Sequence, residues 1–314
     1  MRTVHQKYWI VSGAALLLLL AFLHLMSWEW DFSFLKDDVI LRSIRIPRTF
    51  SALFCGILLA VSGLLLQILF SNPLAGPSIL GISSGASLGV AIAIILGVNT
   101  FGISTASFIG ALSYSILLLL VGRFVKSTTS LLLVGIMLSS FTNAFIEILQ
   151  VYAQEAKLKY FTLWGMGSLQ QVNGTELASF FLALLVVLLF TLYIHRDLTV
   201  FAQGEEFASY LGVNVSRLRW LIIIITSLAV AVTTAYCGPV SFVGIAVPNL
   251  VRIVLKTANS KILIIGCLIF GPVLLLLCDG LILLLDNYFI LPINSMTALF
   301  GVPFIIWIIF KQAR

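Results

Sequence analysis

Apolar runs of bilayer length, separated by only a few polar residues, constrain this chain more than any other feature. In hydrocarbon each backbone N–H and C=O must be satisfied within the protein, so runs of about 20 apolar residues fold as spanning helices. Such runs occur near 8–26, 49–70, 84–97, 103–122, 130–151, 177–194, 220–237, 240–255, 261–285 and 296–310. The third and eighth are short, one rich in glycine and serine and the other carrying Pro248, which predicts tilted, broken or buried elements. Charged residues make up 10% of the chain and apolar ones 61%, where a soluble domain has about 25% charged. Ten crossings use nearly all of the 314 residues. The expectation is a single all-α polytopic transmembrane domain over 1–314, with no separate soluble catalytic domain. The first run reads as a retained helix, because Ser27-Trp28-Glu29-Trp30 offers interfacial aromatics in place of a small-x-small cleavage site.

The net charge of +6 has a topological explanation. With the N-terminus inside and the spans alternating, Arg2, Lys7, Arg123, Lys126, Arg196, Arg217, Arg219, Arg252, Lys256, Lys261, Lys311 and Arg314 fall on the inner side. Lys36, Arg42, Arg45, Arg48, Lys157 and Lys159 fall outside, and twelve plus six accounts for all 18 basic residues. The excess predicts a cytoplasmic-membrane protein with both termini in the cytoplasm. No sustained basic tract with interleaved aromatics exists, which excludes a nucleic-acid binder.

Catalytic chemistry is poorly provided for. No lysine follows a glycine, so the G-x-x-x-x-G-K-[ST] phosphate loop is absent and any ATP belongs to another chain. His5, His24 and His195 are scattered at membrane edges, and neither H-E-x-x-H nor G-x-S-x-G occurs. Cys55, Cys237, Cys267 and Cys278 lie in or beside apolar runs without C-x-x-C spacing, as packing residues do. Neither catalytic residue, metal site nor resident cofactor is expected, and a transport subunit fits better than an enzyme.

Four features carry more information. Before the second span, Arg42, Arg45 and Arg48 lie close together with Pro47 suited to a first turn. Arg45 and Arg48, three apart, can face one way, either toward carboxylates of a docking protein or toward lipid phosphates and Asp37 and Asp38. Next, Ser71-Asn72-Pro73-Leu74-Ala75-Gly76-Pro77 forbids continuous helix, and Ser83-Ser84-Gly85 sits in the small-residue stretch that follows. That element suits either a gate or a packing corner. The inner stretch from Phe201 to Arg219 reads as two short helices split at Gly212. Its first has Glu205 and Glu206 in the opening turn and Phe207, Tyr210 and Leu211 on one face. A partner groove, packing back on the bundle and lying in the membrane interface are all open. Finally, Asp279 lies in the ninth span, expected about midway along it, as either an interhelical hydrogen-bond acceptor or an ion-coupling group.

These pieces in order resemble the permease subunits of type II ABC importers, which take up iron-siderophores, haem and vitamin B12. The resemblance rests on Arg45-Ile46-Pro47-Arg48, Gln67 with Asn72-Pro73-Leu74-Ala75, Gly81-Ile82-Ser83-Ser84-Gly85-Ala86, Gly204-Glu205-Glu206 with Leu211-Gly212, Gly238-Pro239-Val240-Ser241-Phe242-Val243-Gly244 with Val247-Pro248, and Leu291-Pro292 with Thr297-Ala298 and Gly301-Val302-Pro303-Phe304. It runs from about residue 41 to the C-terminus. It implies a ten-helix permease paired with a second copy or a paralogue, two cytoplasmic ATPase subunits that hold the ATP, an external substrate-binding protein, and a metal-chelate or cobalamin cargo moved by alternating access. By the same resemblance Arg45 and Arg48 dock the binding protein, and Ser83, Ser84, Gly85, Thr128 and Thr129 belong to gates. Gly204, Glu205, Glu206, Leu211 and Gly212 contact the ATPase, within a coupling loop at about 196–219. Two positions depart from the family pattern: Leu283 stands where an arginine is common, and Asn249 where a histidine often follows the Val-Pro pair. The competing expectations are an ion-coupled secondary transporter, which requires paired intramembrane acids, and a membrane enzyme, which requires a convergent constellation.

Overall fold

The computed structural model describes residues 2–26, 41–97, 102–125, 127–170, 172, 174–286, 288–289 and 291–312. The stretch Ser27-Trp28-Glu29-Trp30, and Lys36, Asp37, Asp38, Lys126 and Arg314, lie outside the described residues. Among those described, the chain is helical without strands: α1 (Arg2–Leu25), α2 (Ile46–Leu69), α3 (Ile82–Ile95), α4 (Gly102–Gly122), α5 (Thr128–Val151), α6 (Glu155–Gly165), α7 (Gly174–Phe201), α8 (Glu205–Tyr210), α9 (Val215–Cys237), α10 (Val243–Leu255), α11 (Ser260–Leu285) and α12 (Ile293–Gln312). A five-residue π-helical turn, Leu41–Arg45, leads into α2.

Among the described residues seven helices are long and apolar enough to cross a membrane, and Ile82–Ile95, Val243–Leu255 and Ile293–Trp307 are shorter apolar helices. Together they account for the ten expected spans. The additions are α6 and α8, which are too short or too polar to span. One boundary expectation is corrected: the residues after Gly212 form no separate short helix, because Asn214 caps Val215 onward and α9 continues unbroken to Cys237.

At the centre stands α2, packed on α7, α9, α10 and α11 and buried along almost its whole length. Small residues permit this approach. A methyl group built on Gly63 would sit 1.8 Å from the carbonyl oxygen of Gly244 at the start of α10. Overpacking commonly costs about 1–3 kcal/mol, and here the obstacle is backbone. Gly63→Ala is therefore expected to lose most monodisperse protein in size-exclusion chromatography, whereas Gly165→Ala, with open space around it, leaves the yield unchanged.

The shortness of α10 has a structural cause. Residues 238–242 run as irregular backbone between α9 and α10, and Phe242 adopts a left-handed φ of 66° as the residue before the helix. Such backbone is tolerated inside a membrane protein only where other groups satisfy it. Asn294 Oδ1 accepts from Ser241 N at 3.1 Å, and Ser168 N donates to Cys237 O at 2.9 Å.

Candidate functional site

The predicted functional residues fall in three separate places. The first is a buried polar cluster where α1, α2 and α11 meet. Arg48 approaches Asp279 with both faces of its fork: Nε donates to Oδ2 at 2.7 Å and Nη2 to Oδ1 at 2.8 Å. His24 Nε2 lies 2.7 Å from the same Oδ2, and its Nδ1 lies 2.9 Å from Thr49 Oγ1, which donates to Arg45 O at 2.8 Å. The side chains of His24, Arg48, Thr49 and Asp279 are all buried.

Two expectations change here. Arg48 is no exposed docking group, because its guanidinium is committed to Asp279 inside the bundle. The surface of this region is instead formed by exposed Arg42 and half-buried Arg45, whose Nη1 donates to Leu25 O at 3.4 Å. Asp279 sits about two turns from the end of α11 rather than midway along it, and the geometry gives it the interhelical acceptor role. His24 was missed as a partner; its one signal was a lone imidazole ending an otherwise apolar run.

The second place is where α3, α4 and α5 meet, with the proline loop before α3 linking it to α2 and α10. Gly81 turns the chain into α3 with φ 79°. The Tyr114 hydroxyl lies 2.9 Å from Leu80 O and 3.0 Å from Gly135 O, and Ser84 Oγ lies 2.8 Å from Ser139 Oγ. Gly85 packs against Tyr114, where a Cβ would stand 2.2 Å from the tyrosine's own. Ser83 is half-buried. An apolar cavity of about 630 Å³ opens between α3, α4 and α5, lined by Gly85, Gly89, Tyr114, Phe141 and Phe145 among others. Asn249 fits its position well: Nδ2 donates to Pro73 O and to Ile245 O, both at 2.8 Å, and so pins the proline loop to α10. Arg252 Nη1 donates to Gln67 Oε1, tying α10 to α2 as well.

The third place is α8, set between Gly204 at φ 130° and Gly212 at φ 84°. Only Ala208 of this helix is buried. Phe207, Tyr210 and Leu211 are 46%, 87% and 60% exposed, so the apolar face does not pack back on the bundle. The two glutamates divide. Glu206 is exposed, while Glu205 turns inward, its Oε1 accepting from Arg219 Nη2 at 2.9 Å and its Oε2 from Thr128 Oγ1 at 3.4 Å. That bond joins α8 to the first residue of α5. Thr129 beside it is exposed. Among the described residues no group of three His, Cys, Asp or Glu is arranged to hold a metal, and the four cysteines are free and buried.

Residues 10–311 match the profile of the FecCD transport family. The chain belongs to that family. Relatives described as the vitamin B12 import system permease protein BtuC, from Salmonella typhi and Salmonella newport, are each 32% identical to it over 98% of this chain and 96% of theirs. A solved structure described as an inward-facing conformation of a metal-chelate type ABC transporter superposes with a TM-score of 0.87 at 31% identity, covering 98% of this chain and 99% of that one. A second, PsaBC from Streptococcus pneumoniae in complex with Fab, shares the fold alone, with a TM-score of 0.59 at 20% identity over 88% of this chain and 95% of that one. The FecCD chain is thus a multi-pass membrane protein with the fold of an ABC transporter permease. In this FecCD chain the conspicuous motif residues divide between structure and surface. Arg48, Gly85 and Asp279 hold helices together, whereas Arg42, Glu206, Phe207, Tyr210 and Leu211 face outward.

Proposed function

We propose that this chain is the membrane-spanning subunit of an ATP-driven importer that carries an intact metal chelate or corrinoid across the cytoplasmic membrane by alternating access. The observation that carries the reading is the exposed Phe207, Tyr210 and Leu211 face of α8 in a chain that lacks a phosphate loop. Two cytoplasmic ATPase subunits take that face into a groove, and both chain termini lie on their side of the membrane. The B12 import permeases supply the cargo class by similarity.

In this mechanism a second permease copy completes the pathway. ATP-driven closure displaces α8, and the Glu205 bridge to Arg219 and Thr128 carries the displacement to the Thr128–Thr129 gate segment at the start of α5, the helix whose Ser139 farther along meets Ser84 of the other gate segment. No bond in the cargo changes; ATP sets direction by favouring one of two states of the bundle. An external binding protein delivers cargo at the opposite end, on the side of the bundle that carries Arg42 and Arg45. Ion coupling through Asp279 is disfavoured because that carboxylate is already saturated by Arg48 and His24.

The direct test is purification of the tagged chain from its native host in mild detergent, with partners identified by mass spectrometry and ATP hydrolysis measured. A stoichiometric subunit carrying a phosphate loop is expected. A stable, transport-active chain without any ATPase would overturn the proposal.

A further inference from the structure

The apolar cavity of about 630 Å³ between α3, α4 and α5 takes no part in the mechanism above. It exists because α4 and α5 both pack along α3 yet scarcely touch each other. Its floor is bare backbone: a Cβ built on Gly89 would meet Ala106 O at 2.2 Å, and one on Gly110 would meet Gly85 O at 2.3 Å. Exposed Ile109 and Leu117 of α4 and exposed Phe141 and Phe145 of α5 form its walls. Apart from Ser113, which is exposed, the polar side chains of the lining are committed to backbone within the bundle. Tyr114 bonds to Leu80 O and Gly135 O, and Thr142 Oγ1 donates to Leu138 O at 2.8 Å. Water finds few partners on such a surface, and an alkyl chain gains apolar contact along all of it.

The groove has the depth of one leaflet. From Gly85 to Ile95 α3 rises about 15 Å, half of the roughly 30 Å hydrocarbon core. Its outer end is basic. Beyond Ala93 a second cavity, of about 510 Å³, opens between Ile94, Gly97, Gly102 and Ile103, and α6 closes it with Lys157 and Tyr160. Half-buried Lys157 donates from Nζ to Ile95 O at 3.1 Å, which fixes the ammonium at the cavity and leaves two of its three protons to give. No carboxylate among the described residues forms an ion pair with it. Glu155, two residues earlier, lies on another side of α6. Glu147 lies about 170° around α5 from the lining residues Leu138, Phe141, Thr142 and Phe145. Tyr160, exposed and three residues after Lys157, suits the headgroup level.

We propose that this groove is a lipid site that seats one acyl chain of an anionic glycerophospholipid from the outer leaflet, its phosphate held by Lys157 and Tyr160. The apolar trough selects a chain, and the ammonium without a carboxylate partner, at the outer end of the same two helices, selects an anionic head. The inference goes beyond the importer reading and does not depend on it. It depends on Lys157 lying on the outer side, as the distribution of basic residues predicts.

For the test the chain is purified with the subunits that accompany it, stripped of endogenous lipid by detergent exchange, and titrated with phosphatidylglycerol or phosphatidylcholine of identical acyl chains. The tightest-bound lipid is followed by native mass spectrometry. Phosphatidylglycerol is expected to bind about fivefold more tightly, the worth of one lysine beside an anionic headgroup. Lys157→Gln is expected to bring the two lipids level, Lys157→Arg to keep the difference, and Lys159→Gln, at a residue that lines neither cavity, to change nothing. Ser113→Trp, at an exposed lining residue, is expected to weaken both lipids by about tenfold, the loss of two or so buried methylenes. An unchanged melting temperature of the lipid-free variant shows that its bundle is intact, and the Lys157 variants decide the matter on their own where it is not. Equal binding of the two lipids by the parent, a preference that survives Lys157→Gln, or displacement of the lipid by inorganic phosphate alone would overturn the proposal. So would a Ser113→Trp chain that loses a second copy and keeps its lipid, since the groove would then be a contact between subunits.

Discussion

Asp279→Ala is expected to cost the bundle about 3–5 kcal/mol, the range for removing one partner of a buried ion pair. The Arg48 and Asp279 side chains are 8% and 3% exposed. Without the carboxylate a guanidinium and an imidazole are left facing one another inside the protein. Arg48→Ala is expected to cost less, because Asp279 keeps His24 as its partner at 2.7 Å. The double variant Arg48→Met with Asp279→Leu is expected to recover most of the loss, since apolar residues of similar volume commonly replace a buried pair at little cost. Thermal melting followed by size-exclusion chromatography in detergent distinguishes the three. A melting temperature for Asp279→Ala within a degree or two of the parent, with uptake nonetheless lost, would return Asp279 to an ion-coupling role.

The contrast between Arg45 and Arg48 explains how far the chain's sequence reveals its fold and site. All ten apolar helices are legible, the seven of spanning length because hydrocarbon enforces helix over any run of sufficient length. Their depth is less so. Three residues along a helix, Arg45 and Arg48 look alike in sequence, yet α2 is the central helix and its second turn is already inside the bundle. The partners that bury Arg48 lie far away in the chain, 231 residues for Asp279, which itself lies 255 from His24, and no local spacing connects them. The exposed face of α8 was legible as a pattern, since Phe207, Tyr210 and Leu211 follow helical spacing, but whether it packs inward depends on tertiary contacts. The inward turn of Glu205 toward Arg219 has the same origin.

The α8 face supplies the other large effect. Tyr210→Asp combined with Leu211→Asp is expected to reduce co-purification of the ATPase subunits by at least a hundredfold. Truncating a buried aromatic anchor at an interface commonly costs about 2 kcal/mol or more, and a carboxylate placed in an apolar groove adds its desolvation to that. The bundle itself should melt unchanged, because both side chains stand clear of it. Glu205→Gln separates docking from transmission. It leaves the exposed face intact while weakening the 2.9 Å contact to Arg219, so the ATPase stays bound and hydrolyses ATP while uptake falls. Glu206→Arg, on the exposed side, should act with the aspartate variants instead. Stoichiometric ATPase retained by the Tyr210→Asp and Leu211→Asp chain would show that this face meets something other than the ATPase. Equal behaviour of the two glutamate variants would sink the idea that α8 transmits through Glu205 while docking through Tyr210 and Leu211.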